Sequence, residues 1–114
     1  MLRTVLIVDD EPLVLEVTAA MLEELGCDVL TASDGTEALT RLAADPRIEI
    51  LIADINMPRM GGYELAEKAR RARKGLQVIL LSGRESDGHG LPLIRKPFRE
   101  SDLRRVMSET GELC

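Results

Sequence analysis

Four short apolar runs in this chain each end on a chemically reactive polar residue. Val5-Leu6-Ile7-Val8 stops at Asp9-Asp10, and Ile50-Leu51-Ile52-Ala53 stops at Asp54. Val78-Ile79-Leu80-Leu81 stops at Ser82, and Leu93-Ile94-Arg95 at Lys96-Pro97. Runs this short, partly β-branched and bounded by charge, read as buried strands rather than helices. If they lie parallel in one sheet, all five end groups converge on one edge. In open α/β sheets the edge beyond the carboxyl ends of the strands is where ligands bind. Three acids, a hydroxyl and an ammonium at that edge describe a site for a divalent metal and a phosphoryl group.

The segments between the runs support that arrangement. Pro12 suits the first turn of a helix, and Val14, Val17, Met21 and Leu25 follow at helical spacing, with Gly26 as a C-terminal cap. Val29 to Ala32 is a further short strand. Asp34 and Glu37 have the spacing of a capping box ahead of Ala38, Leu39 and Leu42. Ile48 to Ala53 is followed by an Asn56-Met57-Pro58 turn, Gly61-Gly62 and a helix from about Tyr63 to Arg73. The fifth strand is expected over Leu91 to Arg95. A last helix is expected from about Arg99 to Glu109, with Leu103, Val106 and Met107 inward. Strands alternating with helices predict a parallel sheet covered on both faces.

Composition narrows the function. At 114 residues, 45% hydrophobic and 31% charged, the chain is expected to be one globular domain over residues 1–114. Aromatic residues are only 2%, so the core is packed by aliphatic side chains and Ala. A net charge of −5 offers no footprint for direct nucleic-acid binding. The basic cluster Lys68, Arg70, Arg71, Arg73 and Lys74 reads as a solvated, cationic helix C-terminus. Cys27 and Cys114 are too few for a disulfide framework and are expected to be reduced thiols. No apolar run approaches a membrane span and no signal peptide is visible, so a cytoplasmic location is expected. Met1 precedes the first strand by three residues, which favours a true N-terminus.

The end groups suit phosphoryl chemistry in particular. Hard cations prefer oxygen ligands, and clustered carboxylates repel unless a cation such as Mg²⁺ compensates them. Asp54 is the candidate nucleophile, since a carboxylate can form an aspartyl phosphate beside a metal. Lys96 and Ser82 would donate to phosphoryl oxygens. His89, the single histidine, lies among glycines and reads as an exposed loop residue.

The segments VLIVDDEP, ILIADINMPRMGGYEL, VILLSG and IRKPF, in that order, resemble the receiver domain of bacterial two-component response regulators. The resemblance covers essentially the whole chain. It implies the CheY-like, doubly wound fold, a five-stranded parallel sheet of order 2-1-3-4-5. It also implies that Asp54 accepts a phosphoryl group from a phosphohistidine on a sensor histidine kinase or phosphotransfer protein. Mg²⁺ would be held by Asp9, Asp10, Asp54 and the backbone carbonyl of Asn56. Ser82 and Lys96 would contact the phosphoryl oxygens, the Lys96-Pro97 bond would be cis, and a downstream protein target would read the switch. Gly62 falls on the family's turn glycine. Gly61 replaces a frequent Asp and looks harmless.

Two departures from the family stand out. Only eight residues, from Gly83 to Gly90, separate the fourth and fifth strands, and three are glycine. A βαβ crossover with its helix usually takes about a dozen residues. The fourth helix is therefore expected to be missing or reduced to one turn, as in some single-domain receivers and receivers of hybrid histidine kinases. Leu93 stands where receivers typically carry Tyr or Phe, so ordering of the 83–90 loop is expected to replace aromatic rotation as the switch.

Other readings are weaker. A receiver fragment of a hybrid kinase or larger regulator has the same site. A pseudo-receiver would not need all five positions filled. A haloacid-dehalogenase-like phosphohydrolase needs D-x-D after the first strand and a cap domain, and neither is visible. The chain is expected not to be an enzyme beyond its own phosphorylation and dephosphorylation.

Overall fold

A computed structural model describes residues 3–83 and 90–109. Its elements run β1 (Thr4–Val8), α1 (Pro12–Glu24), β2 (Asp28–Ala32), α2 (Gly35–Ala44), β3 (Ile48–Asp54), α3 (Gly62–Ala72), β4 (Gln77–Ser82), β5 (Leu93–Arg95) and α4 (Glu100–Glu109). The five strands form one parallel sheet of order β2-β1-β3-β4-β5, the predicted topology.

Strand side chains alternate between two cores, as a pleated strand requires. Val5, Ile7, Ile50, Ile52, Ile79 and Leu81 pack with Leu22 of α1 and Leu103, Val106 and Met107 of α4. Leu6, Val8, Leu51, Ala53, Val78 and Leu80 face the other way, against Ala38 and Leu42 of α2 and Leu65, Ala66 and Ala69 of α3. The strand runs look uniformly apolar because both faces are covered.

Local signals set the boundaries. Pro12 opens α1, which closes where the Cys27 N–H donates to Leu22 O at 3.0 Å and Gly26 adopts φ +91°. The box at α2 is real but one residue longer than expected. Asp34 accepts from the Glu37 N–H at 2.7 Å, and Glu37 reaches back to the Ser33 N–H at 2.6 Å. The fifth strand starts at Leu93 rather than Leu91, since Pro92 has no N–H for the ladder and contributes only its carbonyl, to Leu80 N.

Three expectations fare differently. The helix content of the 83–90 crossover, the loop-ordering switch and the exposure of His89 turn on residues 84–89, outside the described residues. Leu93 is half-buried against the α2/α3 core. Cys27 is not a free thiol: it is buried and disulfide-bonded, with its partner outside the described residues. Among the described residues no helix is long and apolar enough to cross a membrane.

Arg73, just past α3, closes a joint the sequence did not advertise. Its guanidinium donates to Ile48 O at 2.7 Å, to Asp45 O at 3.1 Å and to Leu42 O, tying the end of α2 to the start of β3. The Leu42 and Asp45 carbonyls lie at the end of α2, where intrahelical donors run out. Arg73→Ala is expected to destabilise the fold by about 2–3 kcal/mol, as lost hydrogen bonds to a charged donor do. Urea unfolding at neutral pH checks this.

Candidate functional site

The parallel register delivers the predicted end groups to one place. Val8 pairs with Ala53, Asp54 with Leu81, and Ser82 with Arg95, so the strands stop nearly level. Lys96 continues the ladder by donating its N–H to Ser82 O at 2.7 Å. Asp9, Asp54 and Ser82 are each at most 3% exposed. The Lys96-Pro97 bond is cis, as expected.

The Lys96 ammonium sits among the acids. Its Nζ lies 2.8 Å from Asp9 Oδ2, 3.4 Å from Asp54 Oδ2 and 3.9 Å from Glu11 Oε1. Asp9, Glu11 and Asp54 each bring one carboxylate oxygen within 4.8 Å of the others. Backbone donors fix two of them. The Glu11 N–H donates to Asp9 Oδ1 at 3.0 Å, and the Asn56 N–H to Asp54 Oδ1 at 3.4 Å.

The structure therefore brings together Asp9, Asp54, Ser82 and Lys96. Asp10 is exposed beside this group and is not among the three carboxylates within 4.8 Å of one another; Glu11, also exposed, is. Asn56 is exposed at the mouth, in the turn that follows Asp54. Glu11 was missed because an acid just ahead of Pro12 has an ordinary explanation at a helix start. Its two-residue offset from Asp9, closed by the Asx-type bond above, was the signal available.

Glycines bring α3 hard against the end of β3. A Cβ on Gly62 would lie 2.5 Å from Asp54 O, and one on Gly61 would lie 2.9 Å from Ile55 O. Gly62 N donates to Ile55 O at 2.9 Å. Gly61 is thus less permissive than the sequence suggests, since a side chain there presses on the backbone beyond Asp54.

Electrostatics separates the two central groups. Burial raises the Asp54 carboxyl above its ordinary range; the Lys96 charge opposes this, and the Asp9 charge adds to it. Burial alone would lower Lys96. The hydrogen bond to Asp9 and the charges of Asp54 and Asp9 outweigh it, and the ammonium is held above its usual value. The donor set is all oxygen, and one ammonium faces three carboxylates. That fits a small hard cation.

Sheet and site together define a phosphoacceptor signalling domain of the two-component type. The chain belongs to the response regulator receiver domain family, which matches residues 5–107. It is 31% identical over 120 residues to the probable transcriptional regulatory protein TcrX of Mycobacterium tuberculosis, covering 95% of this chain and 51% of that protein. It is 40% identical over 75 residues to the sensor histidine kinase RcsC of Escherichia coli, covering 66% of this chain and 8% of that one. Among solved structures it resembles the response regulator TrrA of Thermotoga maritima in complex with Mg²⁺-BeF. There the TM-score is 0.87 at 30% identity, covering 96% of this chain and 99% of that one. The chain thus spans about half the length of TcrX and a small part of RcsC.

The raised Asp54 carboxyl has a consequence for stability. Between its unfolded and folded values the native state binds more protons, so stability falls as pH rises through that interval. Asp54→Asn removes this penalty while Lys96 keeps Asp9 as its partner. The variant is expected to melt higher than wild type at neutral pH, with the gain shrinking toward acid. Melts at stepped pH check it, and a lower-melting variant at pH 7 would contradict it.

Proposed function

We propose that Asp54 is the phosphoacceptor, and that residues 1–114 act as one receiver unit taking its phosphoryl group from a histidine kinase or phosphotransfer protein. The observation that carries this is the buried Asp54 carboxylate with the Lys96 ammonium 3.4 Å away and two further carboxylates beside it. In the transfer, an Asp54 oxygen attacks phosphorus in line as the P–N bond to the donor imidazole breaks. The electron pair leaves with that nitrogen. Lys96 donates to one phosphoryl oxygen and Ser82 to another, stabilising charge where it accumulates.

Asp9, Glu11 and Asp54 would hold Mg²⁺, with Asp10 and the Asn56 carbonyl as the further ligands implied by the family resemblance. The bound ion supplies charge neutralisation for the phosphoryl oxygens. TrrA was solved with Mg²⁺-BeF, which supports the same pairing of metal and phosphoryl-like group here. The chemistry ends at self-phosphorylation and self-dephosphorylation, with a downstream protein reading the modified state. The match to part of RcsC favours a hybrid-kinase setting as the second reading.

The donor needs a surface beside Asp54. Leu13 and Val17 are exposed on α1. With Met21, Pro97 and Phe98 they line an apolar cleft of about 410 Å³ that reaches Lys96. Exposed apolar surface beside a reactive group is a docking feature.

Two experiments test this reading. Intact mass after incubation with acetyl phosphate and Mg²⁺ is expected to show one phosphate adduct, absent in Asp54→Asn and without metal. An adduct surviving in Asp54→Asn would move the acceptor elsewhere. Leu13→Glu is expected to slow transfer from a phosphorylated kinase by about tenfold or more, the scale of one lost apolar anchor. Its labelling by acetyl phosphate should stay unchanged; equal slowing of both would mean the cleft serves the fold.

A further inference from the structure

The three carboxylates at the sheet edge are not held alike. Asp9 and Asp54 are buried, and each has one oxygen tied to a backbone donor. Asp9 Oδ1 accepts from the Glu11 N–H at 3.0 Å, and Asp54 Oδ1 from the Asn56 N–H at 3.4 Å. Their other oxygens face the Lys96 ammonium, at 2.8 Å and 3.4 Å. Glu11 is different. Its side chain is 64% exposed, and its ion pair with Lys96 is a loose one at 3.9 Å.

Glu11 is also unspent as a helix cap. It stands at the N-cap of α1, immediately before Pro12, and its side chain makes no capping hydrogen bond. Its backbone is nevertheless pinned between the bond to Asp9 and the fixed φ of Pro12. A fixed stem and an uncommitted carboxylate give it reach over the mouth of the site. One of its oxygens already lies within 4.8 Å of those of Asp9 and Asp54.

Ions of equal charge use such a carboxylate differently. Mg²⁺ demands a near-ideal octahedron, keeps several waters, and is usually held by one or two carboxylates. Asp9 and Asp54 already offer two. Ca²⁺ takes about 6–8 oxygens in an adaptable shell, so a third carboxylate matters more to it. We propose that Glu11 is a specificity-determining residue of this metal site, and that it admits Ca²⁺ as a competitor of Mg²⁺. Glu11 can join the shell of either ion, but only the larger one needs it. An ion whose shell is filled by protein carboxylates leaves fewer positions for phosphoryl oxygens, so Ca²⁺ would act as a brake on phosphorylation. The inference rests on the metal site of the phosphoacceptor reading and adds a regulatory ion to it.

Calorimetric titration of the metal-stripped chain with CaCl₂ and with MgCl₂, in wild type and Glu11→Gln, separates charge from coordination. Both ions carry two charges, so a carboxylate acting only through its field weakens both alike when it is removed. Coordination instead predicts a loss of about tenfold or more for Ca²⁺, since even groups behind the ligands cost a metal that much. For Mg²⁺ the loss is expected to be about threefold at most, the worth of one exposed charge. Circular dichroism melts of the metal-free proteins check that the variant is folded. Ca²⁺ is also expected to slow acetyl phosphate labelling of wild type at fixed Mg²⁺, and to lose that effect in Glu11→Gln. Equal losses for the two ions, or Mg²⁺ binding without Ca²⁺ binding in wild type, would overturn the proposal and leave Asp54 as the phosphoacceptor. The titrations need no phosphate, so they decide the cation preference even if no adduct forms with Mg²⁺, an outcome that would overturn the phosphoacceptor reading alone.

Discussion

Three carboxylates and one ammonium share the carboxyl edge of the sheet, and much of the molecule is arranged around that imbalance. Asp9 and Asp54 are buried and the exposed Glu11 brings a third carboxylate oxygen within 4.8 Å of theirs, an arrangement that is unfavourable unless positive charge answers it. Lys96 answers only in part, at 2.8 Å from Asp9 and 3.4 Å from Asp54. The backbone N–H groups of Glu11 and Asn56 add directed dipoles. The remaining deficit fits a small hard cation.

Holding such a cluster requires a scaffold that does not yield, and the two-sided core provides it. The central strands β1, β3 and β4 are buried on both faces, and their alternation assigns each side chain to one of two aliphatic cores. Close packing makes the strand ends a rigid rim. The acids and the lysine come from separate strands, so their spacing is a property of the sheet and not of any one loop.

Much of this was legible in the sequence because two simple rules coincided. Buried parallel strands are short apolar runs, and ligands gather where such strands end. Asp9, Asp54, Ser82 and Lys96 all follow from those rules, as does the sheet order once the family resemblance is added. What escaped was whatever depends on side-chain reach. Glu11 and Asp10 are both exposed, yet only Glu11 brings an oxygen within 4.8 Å of those of Asp9 and Asp54, though adjacent acids look alike on paper. Arg73 reads as one more surface cation in a basic stretch, yet it binds carbonyls from another helix. The tightness at Gly61 is likewise a property of the backbone opposite, Ile55, and not of its own neighbours.

The Gly62 joint shows how β3 meets the rest of the protein. With room for nothing larger than hydrogen between Gly62 and Asp54 O, and with Gly62 N bonded to Ile55 O, the end of β3 and the first turn of α3 have no slack between them. Displacement of the Asp54 backbone is therefore also displacement of α3. The far end of that helix carries Arg70 and is followed by Lys74, so the joint ties the backbone of Asp54 to a helix that ends about three turns away.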